Sequence, residues 1–194
     1  NYPGINIIII EKETENVIED VKQHKIDIGI IGIHKHATIG NGLIFEDIMK
    51  SKIKFFVSKH STLNKPSGII TPQELLDRPI VLYNSKIFSN LFEQLKRKYG
   101  YSNNLYISNH FEIIKSMIIE EFAVSPFTEV YAKYDPDVLK GDIVPLTLYK
   151  HDQADIIYGF IYSKKYDLSP HAKDFLNYIK NQISLYFLDT VKQA

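Results

Sequence analysis

Few side chains in this chain are placed to do chemistry, and those that are stand in short polar turns between apolar runs. His34-Lys35-His36 puts two imidazoles two residues apart, a spacing that invites a transition metal. Such a site needs further ligands converging on the ion, and no partner motif accompanies it. A solvated or ligand-lining loop is therefore the reading, and no metal is expected. Asp135 and Asp137 flank Pro136 in what reads as a solvated turn. There is no Gly-x-Ser-x-Gly elbow, no phosphate-loop glycine pattern and no His-Glu-x-x-His, so catalysis has no positive support and no cofactor is called for. With no cysteine, thiol nucleophiles, disulfides and thiolate metal sites are excluded. What remains are hydroxyls, amides and a carboxylate beside strand ends: Glu13 and Thr14, Asn84 and Ser85, Asn109 and His110, and Ser125-Pro126-Phe127-Thr128. Thr14, Ser85 and Asn109 could contact a small molecule or cap the helices they precede, and both roles can coexist. Phe127 has a core reading and a ligand-contact reading. A carboxylate at Glu13 would repel an anionic ligand unless a cation offsets it.

The elements that must position these groups alternate between strand-like and helix-like runs. Ile5–Ile10 reads as a buried strand, and a helix capped by Thr14 carries Val17, Ile18 and Val21 on one face. Ile26–Ile33 reads as a second buried strand, which together make a right-handed βαβ unit. Beyond Gly40 and Gly42, Leu43–Ile48 and Ile53–Ser58 are two further strands. Thr71-Pro72-Gln73-Glu74 combines a capping box with proline at the first helical position. That short helix ends at Asp77-Arg78-Pro79, where a lobe boundary is placed, and Ile80–Tyr83 is a strand. Phe88, Leu91, Phe92, Leu95 and Tyr99 stripe a helix closed by Gly100, followed by strand Leu105–Ser108. Asn109 and Glu112 form a second capping-box candidate ahead of Ile113, Ile114, Met117 and Ile118. Strands Phe122–Ser125, Ile143–Leu148 and Ile156–Tyr162 follow. Leu168-Ser169-Pro170 opens a final helix bearing Ala172, Phe175, Leu176, Ile179, Ile183 and Phe187.

At 194 residues the chain has room for two α/β lobes. Its 23 basic and 23 acidic side chains cancel, so no general field draws it to phosphate backbones or anionic lipid. No apolar run approaches the roughly 20 residues of a membrane span. The opening Asn1-Tyr2-Pro3-Gly4-Ile5 has neither an initiator Met nor a signal pattern and reads as cut from something longer.

Several segments, in order, resemble the effector-binding domain of LysR-type transcriptional regulators. Tyr2-Pro3-Gly4-Ile5 looks like the entry to that family's first sensing strand, and Glu11-Lys12-Glu13-Thr14 like its strand-to-helix turn. Lys25-Ile26-Asp27-Ile28-Gly29-Ile30 is similar to the Gly-x-Leu-Asp-(Leu/Ile)-(Gly/Ala)-(Ile/Val) segment and is the strongest single match. Phe55 through Leu63, with Ser61 in place of proline, and Thr71 through Leu76 resemble the family's strand, turn and short helix. Phe160 through Lys165, Leu168-Ser169-Pro170 and Phe175-Leu176 look like its closing strand and helix. One departure is mechanical: the family's Gly-x-Gly-(Ile/Val)-x-x-x-Pro stands here as Ile119 through Pro126 without either glycine. The helix before it must end in another geometry or force a non-glycine residue into the left-handed region at about 1 kcal/mol.

The resemblance implies a type II periplasmic-binding-protein fold: two Rossmann-like α/β lobes, 1–78 with 162–194 and 79–161, joined by two crossover strands. It implies a small-molecule effector held between the lobes by Glu13, Thr14, His34, Ser85, Asn109, His110, Ser125, Pro126, Phe127 and Thr128. It also implies a cytoplasmic regulator that forms homodimers or tetramers, covering part of the Glu15–His24 helix, and that meets DNA only through a winged helix-turn-helix outside this segment. The competing expectations are a solute-binding protein of the same fold and, third, a small α/β enzyme.

Overall fold

The computed structural model describes residues 5–100, 104–150 and 155–191. By its contacts the chain separates into two units. One holds the residues up to Ile31, Gly40–Phe45 and those from Phe160 onward, and the other holds Gly32–Ile39 and Glu46–Gly159. Tyr2, Pro3 and Gly4, which carry part of the family resemblance, lie outside the described residues, as does the side chain of Phe187.

In the first unit, helix α1 spans Thr14–Lys22. Thr14 is its first helical residue, not its cap: the cap position belongs to Glu13, whose side chain makes no capping hydrogen bond. Val17 and Val21 are buried where the helix crosses strand β1, Gly29–His34. Gly29 makes that approach feasible, because a Cβ there would lie 2.5 Å from Val17 Cγ1 and 2.8 Å from Ile161 Cγ2. The helix closes with Lys25 N–H donating to the Asp20 carbonyl and His24 N–H to that of Val21, which puts His24 at a φ of 55°. Asp20, on the buried side of α1, is ion-paired with Lys12 at 2.5 Å.

Two expectations fail in this unit. Ile5–Ile10 forms no strand, and Ile8 and Ile9 are 82% and 90% exposed. An apolar run is buried as a strand only if a neighbour completes its ladder and both faces are covered, and among the described residues it has no ladder partner. The first strand of the expected βαβ unit is therefore missing. The second begins at Gly29 rather than Ile26. Helix α7, Pro170–Val191, does follow the Leu168-Ser169-Pro170 start, with Leu176 buried and Phe175 exposed.

Strand β2, whose residues from Glu46 onward belong to the second unit, runs unbroken from Leu43 to Ser58 where two strands were expected. Nothing between Ile48 and Ile53 breaks it: no glycine or proline intervenes, and from Lys50 to Phe55 more and less exposed residues alternate before Phe55–Ser58 are buried throughout. It pairs antiparallel with β6, Ser125–Thr128, and with β7, Ile143–Leu148. The main sheet takes the order β1, β8 (Asp155–Ser163), β2, β7, β3 (Ile69–Ile70). Helix α2, Pro72–Leu76, starts with the expected capping box between Thr71 and Glu74. Lys65 and the Thr71 N–H both hold the Glu74 carboxylate, bringing its pKa down to about 2. Strands β4 (Ile80–Tyr83) and β5 (Leu105–Ser108) pair in parallel, and Val124 joins the far edge of β4 beside Ile80. Helix α3, Lys86–Tyr99, covers one face of β4 through Phe88, Leu91, Phe92 and Leu95, which join Ile80 and Leu82. Helix α4, Phe111–Ile119, packs Ile114 and Ile118 with Val81 and Phe56 in a second cluster.

The missing glycines after α4 are resolved in the second of the two expected ways. Phe122 N–H donates to the Met117 carbonyl at 2.9 Å and Glu121 N–H to that of Ile118 at 3.1 Å, with Glu121 at a φ of 57°. This is a Schellman closure carrying a glutamate where glycine is unstrained. The strand expected at Phe122–Ser125 is displaced accordingly and begins only at Ser125. Two short helices that sequence reading missed follow it, α5 (Glu129–Tyr134) and α6 (Pro136–Leu139). Asp135, read as part of a solvated turn, is buried and caps α6 by accepting from the N–H groups of Asp137 and Val138.

Two stability measurements follow. Glu121→Gly should raise the thermal midpoint by the equivalent of about 1 kcal/mol, and an unchanged or lower midpoint would mean that the glutamate carries a compensating interaction. Gly29→Ala should cost about 1–3 kcal/mol in a urea titration, whereas an unshifted midpoint would separate α1 from this strand.

Candidate functional site

The second unit gathers most of the side chains singled out by sequence. Because Tyr83 pairs with Ser108, the carboxyl ends of β4 and β5 lie side by side, and Asn84 N–H donates to the Ser108 carbonyl at 3.0 Å. The turns holding Ser85, Asn109 and His110 are therefore neighbours. Ser85 is the N-cap of α3, its hydroxyl accepting from Ile87 N–H at 3.3 Å. Asn109 is not the cap of α4: His110 occupies that position without a side-chain hydrogen bond, and the expected Asn109–Glu112 box does not form. The Ser108 hydroxyl accepts from His110 N–H instead, tightening the turn by one residue relative to the sequence pattern.

Strand β6 brings Ser125, Pro126, Phe127 and Thr128 alongside, all four buried. Phe127, 2% exposed, is the centre of an aromatic cluster. It stacks on Tyr131 at 4.7 Å and Phe111 at 5.2 Å, and meets Phe56 and Phe88 edge-on at 5.5 and 6.2 Å. Tyr83 lies 4.6 Å from Phe111, extending the cluster to the end of β4. Phe111 and Tyr131 were missed by sequence reading. Phe111 follows the pattern of an apolar first helical residue, whereas Tyr131 sits in a helix that carried no recognised start. Ser125 is fully buried, and among the described residues its hydroxyl has no hydrogen-bond partner.

Beneath the aromatic rings lies a charged network. Lys115, with its side chain 11% exposed, pairs with Asp137 at 2.8 Å, Glu112 at 3.2 Å and Asp135 at 3.4 Å. The Asp137 hydrogen bond, against the opposing effect of burial, raises the lysine well above its ordinary range. Burial would raise Asp135, but the Tyr131 hydroxyl nearby, the two capping N–H groups and Lys115 outweigh it and leave the carboxyl lowered. The Tyr131 hydroxyl, raised chiefly by burial, lies near Asp135 without meeting hydrogen-bonding geometry.

Thr128 directs its hydroxyl away from its own helix. It is the N-cap residue of α5 but makes no cap hydrogen bond, and its Oγ1 lies 3.0 Å from the Tyr158 hydroxyl. Tyr158 lay unremarked inside an apolar strand candidate. A hydroxyl at the alternating position after Ile156 was the one available signal. Burial raises its pKa, opposed by the Thr128 contact.

Other sequence candidates stand elsewhere. His34 ends β1 exposed, its ring 5.4 Å from that of His36 and its Nδ1 accepting from the His36 N–H at 3.3 Å. Lys35 between them pairs with Asp155 at 2.9 Å, and that hydrogen bond, with Lys52 and Lys50 nearby, lowers the aspartate. Among the described residues no group of three or more His, Cys, Asp or Glu side chains could hold a metal ion. Glu13 and Thr14 belong to the first unit.

Known proteins supply the remaining findings. A family model described as the LysR substrate binding domain matches residues 1–184. Among solved structures, the chain is similar to HinK, a LysR family transcriptional regulator from Pseudomonas aeruginosa, at a TM-score of 0.71 and 17% identity over 94% of this chain and 61% of that one. It resembles the CcmR regulatory domain of Synechocystis PCC6803 in complex with 2-PG, at a TM-score of 0.72 and 13% identity over 94% and 85%. It also resembles the effector binding domain of QuiR in complex with shikimate, at 0.68 and 15% over 89% and 79%. The chain thus spans about three-fifths of the length of HinK. No curated protein matched it by sequence. Among the described residues no helix is long and apolar enough to cross a membrane. The likenesses establish an α/β fold of the type II periplasmic-binding-protein kind.

Removing the cation at the centre of the charged network tests its weight. Lys115→Met should destabilise the chain by about 3–5 kcal/mol at neutral pH by leaving Asp135 buried without its counter-charge. A urea midpoint within error of the parent would mean that the carboxylates are satisfied without the lysine.

Proposed function

Since this chain belongs to the LysR substrate-binding-domain family, we propose that it is the ligand-sensing regulatory domain of a LysR family transcriptional regulator. It binds a small-molecule effector between the lobes 1–78 with 162–194 and 79–161, and performs no chemistry itself. The effector favours one arrangement of the protein, and that differential affinity changes the disposition of DNA-binding modules outside this segment. The observation that carries the reading is local: β4 and β5 end side by side at Ser85, Asn109 and His110, next to the buried strand Ser125–Thr128. Ligands of open parallel sheets sit beyond such strand ends, where helix starts offer unbonded N–H groups. Glu13, Thr14 and His34 complete the proposed contact set. The relatives named above bind 2-PG and shikimate, and small oxygenated acids are accordingly the first compounds to try here.

The domain acts in the cytoplasm as a homodimer or tetramer. Exposed Leu105 and Ile107, at alternate positions on one face of β5, support self-association, since exposed apolar side chains side by side favour a protein partner. In the dimer part of α1 is covered.

A thermal-shift screen of small metabolites tests the reading. A true effector at a hundred times its Kd should stabilise the domain by about 2.7 kcal/mol, with the shift reduced by Thr128→Val or Thr14→Ala. A hit unaffected by both changes would refute the placement. Turnover of a hit, lost on substitution of Ser125 or Thr128, would replace the sensor by an enzyme.

A further inference from the structure

The Thr128–Tyr158 contact has two costs that packing does not require. Thr128 stands at the N-cap of α5, where its hydroxyl could accept a backbone N–H, yet it is committed to Tyr158. Tyr158 in turn lies with its ring against bare backbone: a Cβ at Gly32 would approach its Cε1 to 2.9 Å. A phenylalanine at 158 would fill the same space and leave Thr128 free to cap its helix. The tyrosine hydroxyl is therefore not explained by the core it borders.

Hydrogen accounting points to what it is for. Each hydroxyl carries one hydrogen and can accept as well as donate. At neutral pH both are protonated, since burial holds the Tyr158 phenol above its ordinary range. The 3.0 Å contact uses one of the two hydrogens, whichever residue donates. Among the described residues neither hydroxyl has a second partner. The pair, with Thr128 buried and Tyr158 half-buried, therefore keeps one O–H donor to offer a ligand. An oxygen acceptor that displaces solvent from the pair can take that hydrogen in a low-dielectric setting, where the bond counts for more than in water.

We propose that the Thr128–Tyr158 hydroxyl pair is the polar anchor of the effector site, donating its spare hydrogen to a carboxylate or carbonyl oxygen of the effector, with Tyr158 as the specificity-determining residue. This rests on the sensor reading above and adds to it the chemical class of the ligand: a compound presenting an oxygen acceptor with no hydrogen of its own, since an ammonium group could meet only the lone pairs of the hydroxyls and would leave their hydrogen unused. Sites built around a committed hydrogen bond reject analogues lacking the partner far more strongly than apolar sites reject a missing methylene.

The test compares the parent chain with Tyr158→Phe, Thr128→Val and Thr128→Ser, using acetate, pyruvate and benzoate as acceptor probes and benzylamine and putrescine as donor-only probes, with affinities from calorimetric titration. The anchor requires at least one acceptor probe to bind the parent. It also requires a loss of about tenfold or more in Tyr158→Phe and Thr128→Val, near-parent affinity in Thr128→Ser, and no binding of either amine. The ligand-free thermal midpoint of Tyr158→Phe should stay at or above the parent value, which separates lost binding from lost folding. Equal affinity in Tyr158→Phe and the parent, binding of an amine, or no binding by any acceptor probe each overturns the anchor. A metabolite from the wider screen that binds the parent and is insensitive to Tyr158→Phe removes the anchor and keeps the sensor. Absence of saturable binding by any compound in that screen removes the sensor as well.

Discussion

Register along β2 is the constraint on which the second unit rests. Phe56 pairs with Ser125 on β6 and with Pro145 on β7, and its ring lies in the aromatic cluster around Phe127. The odd-numbered Ile53, Phe55 and Val57 look into the larger core with Leu146 and Leu148. A slip of one residue would exchange the faces, sending Lys52 and Lys54 into apolar packing. The cost of that exchange fixes where β6 lies. With β6 fixed, Thr128 reaches Tyr158 and Phe127 reaches the start of α4.

From this follows the division of labour among the residues at the strand ends. Phe127 serves packing, Thr128 one residue on serves polarity, and the alternation of a strand is enough to separate the two roles. The parallel pairing of β4 with β5 supplies the second half of the arrangement by bringing two helix starts together. Lys115 fastens α4 to the α6 start through Asp135 and Asp137, holding the charged network against the aromatic cluster. The groups that give the site its shape are thus mostly apolar or ion-paired, and few polar atoms are left for a ligand.

Much of this organisation was legible in the sequence wherever one physical signal dominated. The capping box at Thr71 and Glu74, the stripe of α3 and the apolar run of β7 appear as read, because local hydrogen bonding or periodicity decides them. Legibility failed where tertiary partners decide. Ile5–Ile10 has the composition of a buried strand, but burial depends on a neighbour the run itself cannot specify. Asn109 has the better capping side chain, yet the helix begins one residue later because the Ser108 hydroxyl secures the turn. Asp135 looked solvated beside Pro136, and only the fold brings Lys115 across 20 residues of chain to bury it. The site was half-readable for the same reason. Thr128 was visible as a hydroxyl after a strand, whereas Tyr158 depended on a contact spanning 30 residues.

The exposed isoleucines have a consequence for handling the protein. Ile7–Ile10 is an uncharged, β-branched run held open to solvent, the composition from which intermolecular cross-β stacking grows. Glu11, Lys12 and Glu13 follow immediately and act as gatekeepers, placing charge at the end from which another strand would zip up. Colloidal stability of the isolated domain accordingly depends on three side chains, one of which, Lys12, also pairs with the buried Asp20. Because the chain carries no net charge, little general repulsion stands behind them.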